Sequence, residues 1–272
     1  MRALLEISIT NACTNACSYC IAKGTKQVAY SKYRIAEGGG IYIDCDAICS
    51  FVESMVEQCP EGVVVALTGG EPMCHPAFEQ IVKKLSQITI RNNSRLVLYS
   101  NLQLMSGVRC NLINHCVDFV IAGFHPEGHV MGITPEHWHR CNAAWMVESI
   151  APIFRAKVVN VIVGAYDNLP VEHKFTLDEL ENIFKVNEVP YVKTPLNRNI
   201  KIKGINYQFE RSPDLVNVRA DGSIVRCNGK PDYMGNIYEH SFTREMLCEE
   251  HCVLCPSYWC YKFNTDLFAE VV

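Results

Sequence analysis

Three cysteines fall within eight residues near the start of the chain, in the run Cys13-Thr-Asn-Ala-Cys17-Ser-Tyr-Cys20. Few features constrain a fold more, because the spacing supplies three thiolates to one short loop, where they can converge on one centre. A cubane iron–sulfur cluster normally takes four cysteine ligands. Three would leave one iron open, as a catalytic zinc keeps one coordination position open. Zinc patterns instead pair a C-x2-C with a second pair further on. The alternative is a zinc loop completed by a distant residue, or three unrelated thiols.

The apolar pattern says what carries that loop. Ala3 to Ile9 reads as a first strand that delivers the chain to Cys13. Ile48, Phe51, Val52, Met55 and Val56 have helical spacing, which predicts a helix over Asp46–Gln58 with Asp46 as its N-cap. Val63 to Leu67 is a continuous apolar run, suited to a parallel strand buried on both faces. A helix is expected over Pro76–Ser86 and another over Leu177–Val186. Further strands are expected at Arg95–Tyr99, Val117–Phe124, Lys157–Val163 and Val189–Lys193. Strands alternating with helices predict an α/β chain built on a parallel sheet, with six strands before residue 195. Beyond residue 205, Leu215 to Cys227 reads as a β-hairpin turning at Asp221-Gly222. The expected division is residues 1–204 for the sheet domain and 205–272 for a small cysteine-rich extension.

In parallel βα folds, ligands bind beyond the carboxyl ends of the strands. Gly69-Gly70-Glu71-Pro72 ends the second strand. Two glycines let backbone approach closely, and a carboxylate there can accept a charge-assisted hydrogen bond from an ammonium group. Tyr99-Ser100-Asn101 ends the next strand, and Phe124-His125-Pro126-Glu127 follows the fourth. His125 and Glu127 are candidate substrate contacts.

Composition excludes several classes. With 49% hydrophobic and 20% charged residues, the chain has the balance of a globular protein. A net charge of −4 gives no reason to expect nucleic acid as a partner. No apolar run approaches a membrane span of about 18 residues, and the opening residues do not form a signal peptide. Fifteen cysteines is an odd number, and with no export signal it argues against a disulfide framework and for a cytoplasmic location. Seven of them (Cys45, Cys49, Cys59, Cys74, Cys110, Cys116 and Cys141) are scattered and read as small buried residues. Nothing raises Cys74 or Cys141 to a thiol hydrogen donor or methyl carrier.

Together, C-x3-C-x2-C and Gly-Gly-Glu-Pro resemble the radical S-adenosylmethionine (SAM) superfamily. The resemblance implies a partial, six-stranded (βα)6 barrel. It implies a [4Fe–4S] cluster on Cys13, Cys17 and Cys20, whose open iron chelates SAM and cleaves it to a 5'-deoxyadenosyl radical. Tyr19 would lie beside the adenine, and Gly69, Gly70 and Glu71 would hold the amino group of SAM. Ser100 and Asn101 would contact its ribose, unless they are a polar strand end. A flavodoxin- or ferredoxin-type reductant would supply the electron.

The C-terminal cysteines carry a second resemblance. Cys227 follows the hairpin glycine in a G-x4-C segment, and Cys248-x3-Cys252-x2-Cys255-x4-Cys260 follows. This is similar to the SPASM and Twitch extensions of radical SAM enzymes, and implies an auxiliary [4Fe–4S] cluster. Cys227, Cys252, Cys255 and Cys260 are the expected ligands, with Cys248 as the alternative fourth. The full SPASM form has seven cysteines, and this segment has five. The same thiolates would accept structural zinc.

The expected reaction is hydrogen abstraction from a substrate C–H bond, with the auxiliary cluster assisting oxidation. The chain begins at the first strand, which favours a small-molecule or metabolite substrate. A peptide-modifying enzyme is the alternative. A non-catalytic iron–sulfur or zinc-binding protein is the rival from another class.

Overall fold

The computed structural model describes residues 3–14, 40–124, 157–164, 191–195, 215–225 and 233–239, with a few helical positions between 178 and 186. The strands are β1 (Ala3–Thr10), β2 (Val63–Gly69), β3 (Arg95–Ser100), β4 (Phe119–Phe124), β5 (Lys157–Gly164), β6 (Tyr191–Pro195), β7 (Leu215–Val218), β8 (Ser223–Val225) and β9 (Tyr233–Asn236). They form one sheet in the order β6-β5-β4-β3-β2-β1-β7-β8-β9. Every neighbouring pair from β6 through β1 to β7 is parallel. The antiparallel pairs are β7–β8 and β8–β9. The first six strands therefore form the expected parallel succession. The hairpin expected in a separate extension adds to the same sheet, with β7 beside β1.

Three α-helices are described: α1 (Cys45–Gln58), α2 (Phe78–Arg91) and α3 (Gly107–Cys116). They cover one face of the sheet. Leu5, Ile7 and Ile9 of β1 and Leu67 of β2 join Ile48, Val52 and Met55 of α1 and Ile81 and Leu85 of α2 in the main core. Alternation turns Leu4, Val64, Ala66, Val97, Phe119 and Ile121 to the opposite face, where they form a second buried cluster. Burial on both faces explains the unbroken apolar run of β2. Among the scattered cysteines, Cys45, Cys49, Cys59 and Cys110 are buried, whereas Cys74 and Cys116 are half-buried. Cys141 lies outside the described residues.

Three local expectations need correction. The N-cap of α1 is Asp44, whose side chain accepts hydrogen bonds from the backbone N–H groups of Asp46 and Ala47, both at 2.9 Å. Asp46 instead sits in the first helical turn and pairs with Lys84 of α2. Either aspartate suits a cap, so apolar periodicity did not separate them. The second helix starts at Phe78, because Pro72–Cys74 form a 3₁₀ turn ahead of it. The hairpin loop has three residues: Arg219 N donates to Ser223 O, and Gly222 N to Arg219 O. Gly222 has φ +82°, as a type I turn closed by a glycine bulge requires.

No helix among the described residues is long and apolar enough to cross a membrane.

The capping assignment has a direct test in thermal or denaturant unfolding. Asp44→Ala is expected to cost about 1 kcal/mol. Asp46→Ala, which removes an exposed ion pair, is expected to cost less than half of that.

Candidate functional site

The carboxyl ends of β1, β2 and β3 meet at one edge of the sheet, and the closest approach there is between backbones. Gly70 N donates to Thr10 O at 2.8 Å, and Glu71 N to Ala12 O at 2.7 Å. A β-carbon on Gly69 would collide with the carbonyl oxygen of Thr10, and one on Gly70 with that of Ala12. Gly69 also has φ +135°, which side chains rarely adopt. The glycine pair thus packs β2 against the stem of the cysteine loop.

The far side of that loop is fastened too. Ile43 N donates to Ile9 O, Asn11 N to Ile41 O, and Ile41 N to the Asn11 side chain at 2.7 Å. Thr10 Oγ1 donates to Ile41 O and accepts from Ala12 N. His75 Nδ1 accepts from Ala77 N at 3.0 Å, so its Nε2 carries the proton donated to Ile43 O at 2.9 Å. Burial holds the His75 pKa below the usual histidine value, which suits this neutral tautomer. Sequence reasoning passed over His75. Its position four residues after Glu71 gave no periodic signal.

Glu71 is the centre of this edge and only 1% exposed. Its Oε1 accepts from Ser100 Oγ at 2.9 Å and from Met73 N at 3.2 Å. Its Oε2 accepts from Asn101 N at 2.7 Å. Burial pushes the Glu71 pKa up to about 7, against these three donors and the nearby Arg109 charge, which all pull it down. The Asn101 side chain donates to Thr14 Oγ1 at 2.9 Å, directly after Cys13. Leu102 N then donates to Ser100 Oγ, and Leu102 is forced to φ +62°. Such a conformation costs a non-glycine residue roughly 1–3 kcal/mol and tends to mark functional sites.

The expected SAM-site residues Gly69, Gly70, Glu71, Ser100 and Asn101 therefore come together beside Cys13, which is half-buried. Ser100 and Asn101 are bonded to Glu71 and Thr14. Cys74 joins them, with its thiol taking the backbone N–H of Thr14. Burial and then the Glu71 charge push its pKa up to about 12, which favours the thiol over the thiolate. Cys17, Tyr19, Cys20, His125 and Glu127 lie outside the described residues, as do Cys227, Cys248, Cys252, Cys255 and Cys260.

A buried carboxylate that retains acceptor capacity, beside Cys13, suits a cationic ligand. Comparison with known proteins is consistent with that fit. The radical SAM superfamily model matches residues 7–185. The chain belongs to the radical SAM superfamily. Among solved structures, it is similar to native anSMEcpe with bound AdoMet and Cp18Cys peptide, at a TM-score of 0.62 and 13% identity over 92% of this chain and 80% of that one. It is also similar to Streptococcus suis SuiB bound to S-adenosylmethionine, at a TM-score of 0.54 and 9% identity over 92% and 73%. SuiB bound to its precursor peptide SuiA aligns at a TM-score of 0.50 and 12% identity over 92% and 72%. Identities this low show a shared fold. Comparison with curated proteins finds no match.

Gly70→Ala tests the packing directly. The added methyl group meets a backbone carbonyl that cannot swing away, so destabilisation of about 1–3 kcal/mol is expected in thermal unfolding. Iron retained after anaerobic reconstitution should fall with it. A variant as stable and iron-rich as the wild type would show that the close approach is dispensable.

Proposed function

We propose that the protein is a peptide-modifying radical SAM enzyme. The observation that carries the SAM assignment is the buried Glu71 carboxylate beside Cys13. The cluster, when bound, supplies the electron that cleaves SAM. The chain's own residues do the rest. Cys13, Cys17 and Cys20 hold three irons. Glu71 takes the SAM ammonium, while Ser100 and the Asn101 backbone fix its carboxylate. Asn101 and Cys74 fasten Thr14, and through it the cluster loop.

The peptide assignment rests on the similar structures, because both anSMEcpe and SuiB are described with a bound peptide. On that support, a peptide is preferred here to the small molecule favoured by sequence alone. In the same reading, Cys227, Cys252, Cys255 and Cys260 (or Cys248) hold an auxiliary [4Fe–4S] cluster that accepts an electron from the substrate radical. His125 and Glu127 remain proposed substrate contacts.

The pKa of Glu71 gives the SAM assignment a signed test. An ammonium needs the ionised carboxylate, and Glu71 ionises only at about pH 7. SAM affinity should therefore rise about tenfold per pH unit below 7 and level off above it. In Glu71→Gln it should be about ten- to hundredfold weaker and flat with pH. Equilibrium binding to the reconstituted protein measures this, with 5'-deoxyadenosine release as the activity readout. A wild-type profile that is flat between pH 5 and 8 would sink the assignment.

Iron and acid-labile sulfide test the auxiliary cluster. Two cubanes give about eight irons per chain and one gives about four. Cys252→Ala/Cys255→Ala should lower eight to four. A wild-type value of four, with bound zinc, would replace the auxiliary cluster with a structural site.

A further inference from the structure

The sheet face turned away from α1–α3 changes character between β4 and β8. Over β1 to β4 it carries the apolar cluster of Leu4, Val64, Ala66, Val97, Phe119 and Ile121. Past β1 it turns polar. Glu6 of β1 is in register with Asn217 of β7, and Asn217 with Val225 of β8. Val216, Val218 and Ile224 belong to the core on the helix side, so alternation sets Asn217 on the opposite face. Arg219, two residues on, continues that face, opposite Ser223, whose carbonyl accepts its backbone N–H at 2.9 Å. Asn217 and Ser223 are both buried.

This polar stretch reaches the working edge. β7 runs parallel to β1, with Ile7 opposite Val218. The chain therefore leaves β7 at Arg219 on the edge where β1 delivers Cys13 and β2 delivers Glu71. There the Arg219 Nη2 is buried and, among the described residues, makes no hydrogen bond. Among the described residues, no ion pair engages the guanidinium either. A buried donor on a charged group is costly to leave unmet. A neutral acceptor would satisfy the hydrogen bond and leave the charge. A carboxylate satisfies both, and its two oxygens match the planar fork of arginine.

We propose that Arg219 is a specificity-determining residue that binds a carboxylate of the substrate, namely an acidic side chain of a peptide. The carboxylate follows from the site; its place on a peptide rests on the function proposed above.

Two measurements on the full, cluster-reconstituted chain with saturating SAM separate the two claims. In the first, glutarate is the probe and glutaramide its neutral control, with affinity read from the thermal shift. Glutarate should stabilise the protein and glutaramide should not. Arg219→Gln should weaken glutarate about ten- to hundredfold. Arg219→Lys should fold equally well and recover part of the affinity. Equal glutarate affinity in wild type and Arg219→Gln would overturn the proposal, as would a matching loss of SAM affinity in Arg219→Gln. In the second, the protein selects binders from a randomised octapeptide library. Asp or Glu should be enriched about tenfold over Asn and Gln at one position, and Arg219→Gln should abolish the enrichment. Peptides retained with no acidic preference overturn the role of Arg219 and leave the peptide reading standing. Glutarate binding that depends on Arg219, with no peptide retained, upholds the carboxylate site and overturns the peptide reading.

Discussion

Gly69 and Gly70 let the end of β2 lie directly on the carbonyls of Thr10 and Ala12, and the geometry of the working edge follows from that contact. Backbone bonded to backbone leaves little slack. Once Glu71 N is fixed to Ala12 O, the Glu71 side chain can only turn inward, towards the end of β3. There it meets Ser100 and Asn101, and the strained turn at Leu102 exists to aim their donors. The same stem carries Cys13. One close approach thus fixes the spacing between Cys13 and a carboxylate nearly sixty residues away in sequence.

The charge balance at Glu71 is deliberate in a physical sense. Moving a carboxylate out of water costs several kcal/mol, and three hydrogen bonds recover much of that. They do not recover all of it, because the pKa still stands at about 7 rather than 4.5. At about 1.4 kcal/mol per unit, the shortfall is about 3 kcal/mol once the group is ionised. Its sign is that of a raised acid. With no cation present, stability falls as pH rises from the unfolded value through 7. A cation arriving at the carboxylate removes that penalty, so binding and folding draw on one interaction.

Much of the fold was legible because its signals are local. The apolar run at Val63–Leu67 suits a strand buried on both faces, and the helical spacing around Val52 sets one face of α1 on it. Where competing local signals coexist, legibility ended. Asp44 and Asp46 are equally good caps, and only the path of the chain out of the loop selects Asp44. The third helix buries little more than Cys110 and Ile113, so its periodicity is too thin to read. At the site, the motif residues were readable but their partners were not. Ser100 and Asn101 lie 29 and 30 residues from Glu71, and hydrogen bonds over that span leave no pattern in a single sequence.

The pairing of β7 with β1 was equally hidden, and it has the widest consequence. A cysteine-rich tail could hang from the sheet by a linker, and its metal would then be free of the catalytic edge. Instead the chain re-enters the sheet beside the strand that leads to Cys13. Cys227 follows the last residue of β8 by two positions, a reach of at most about 7 Å. On the proposed reading, a cluster held by Cys227 would therefore lie within a short reach of the sheet that carries Cys13, Glu71 and Arg219.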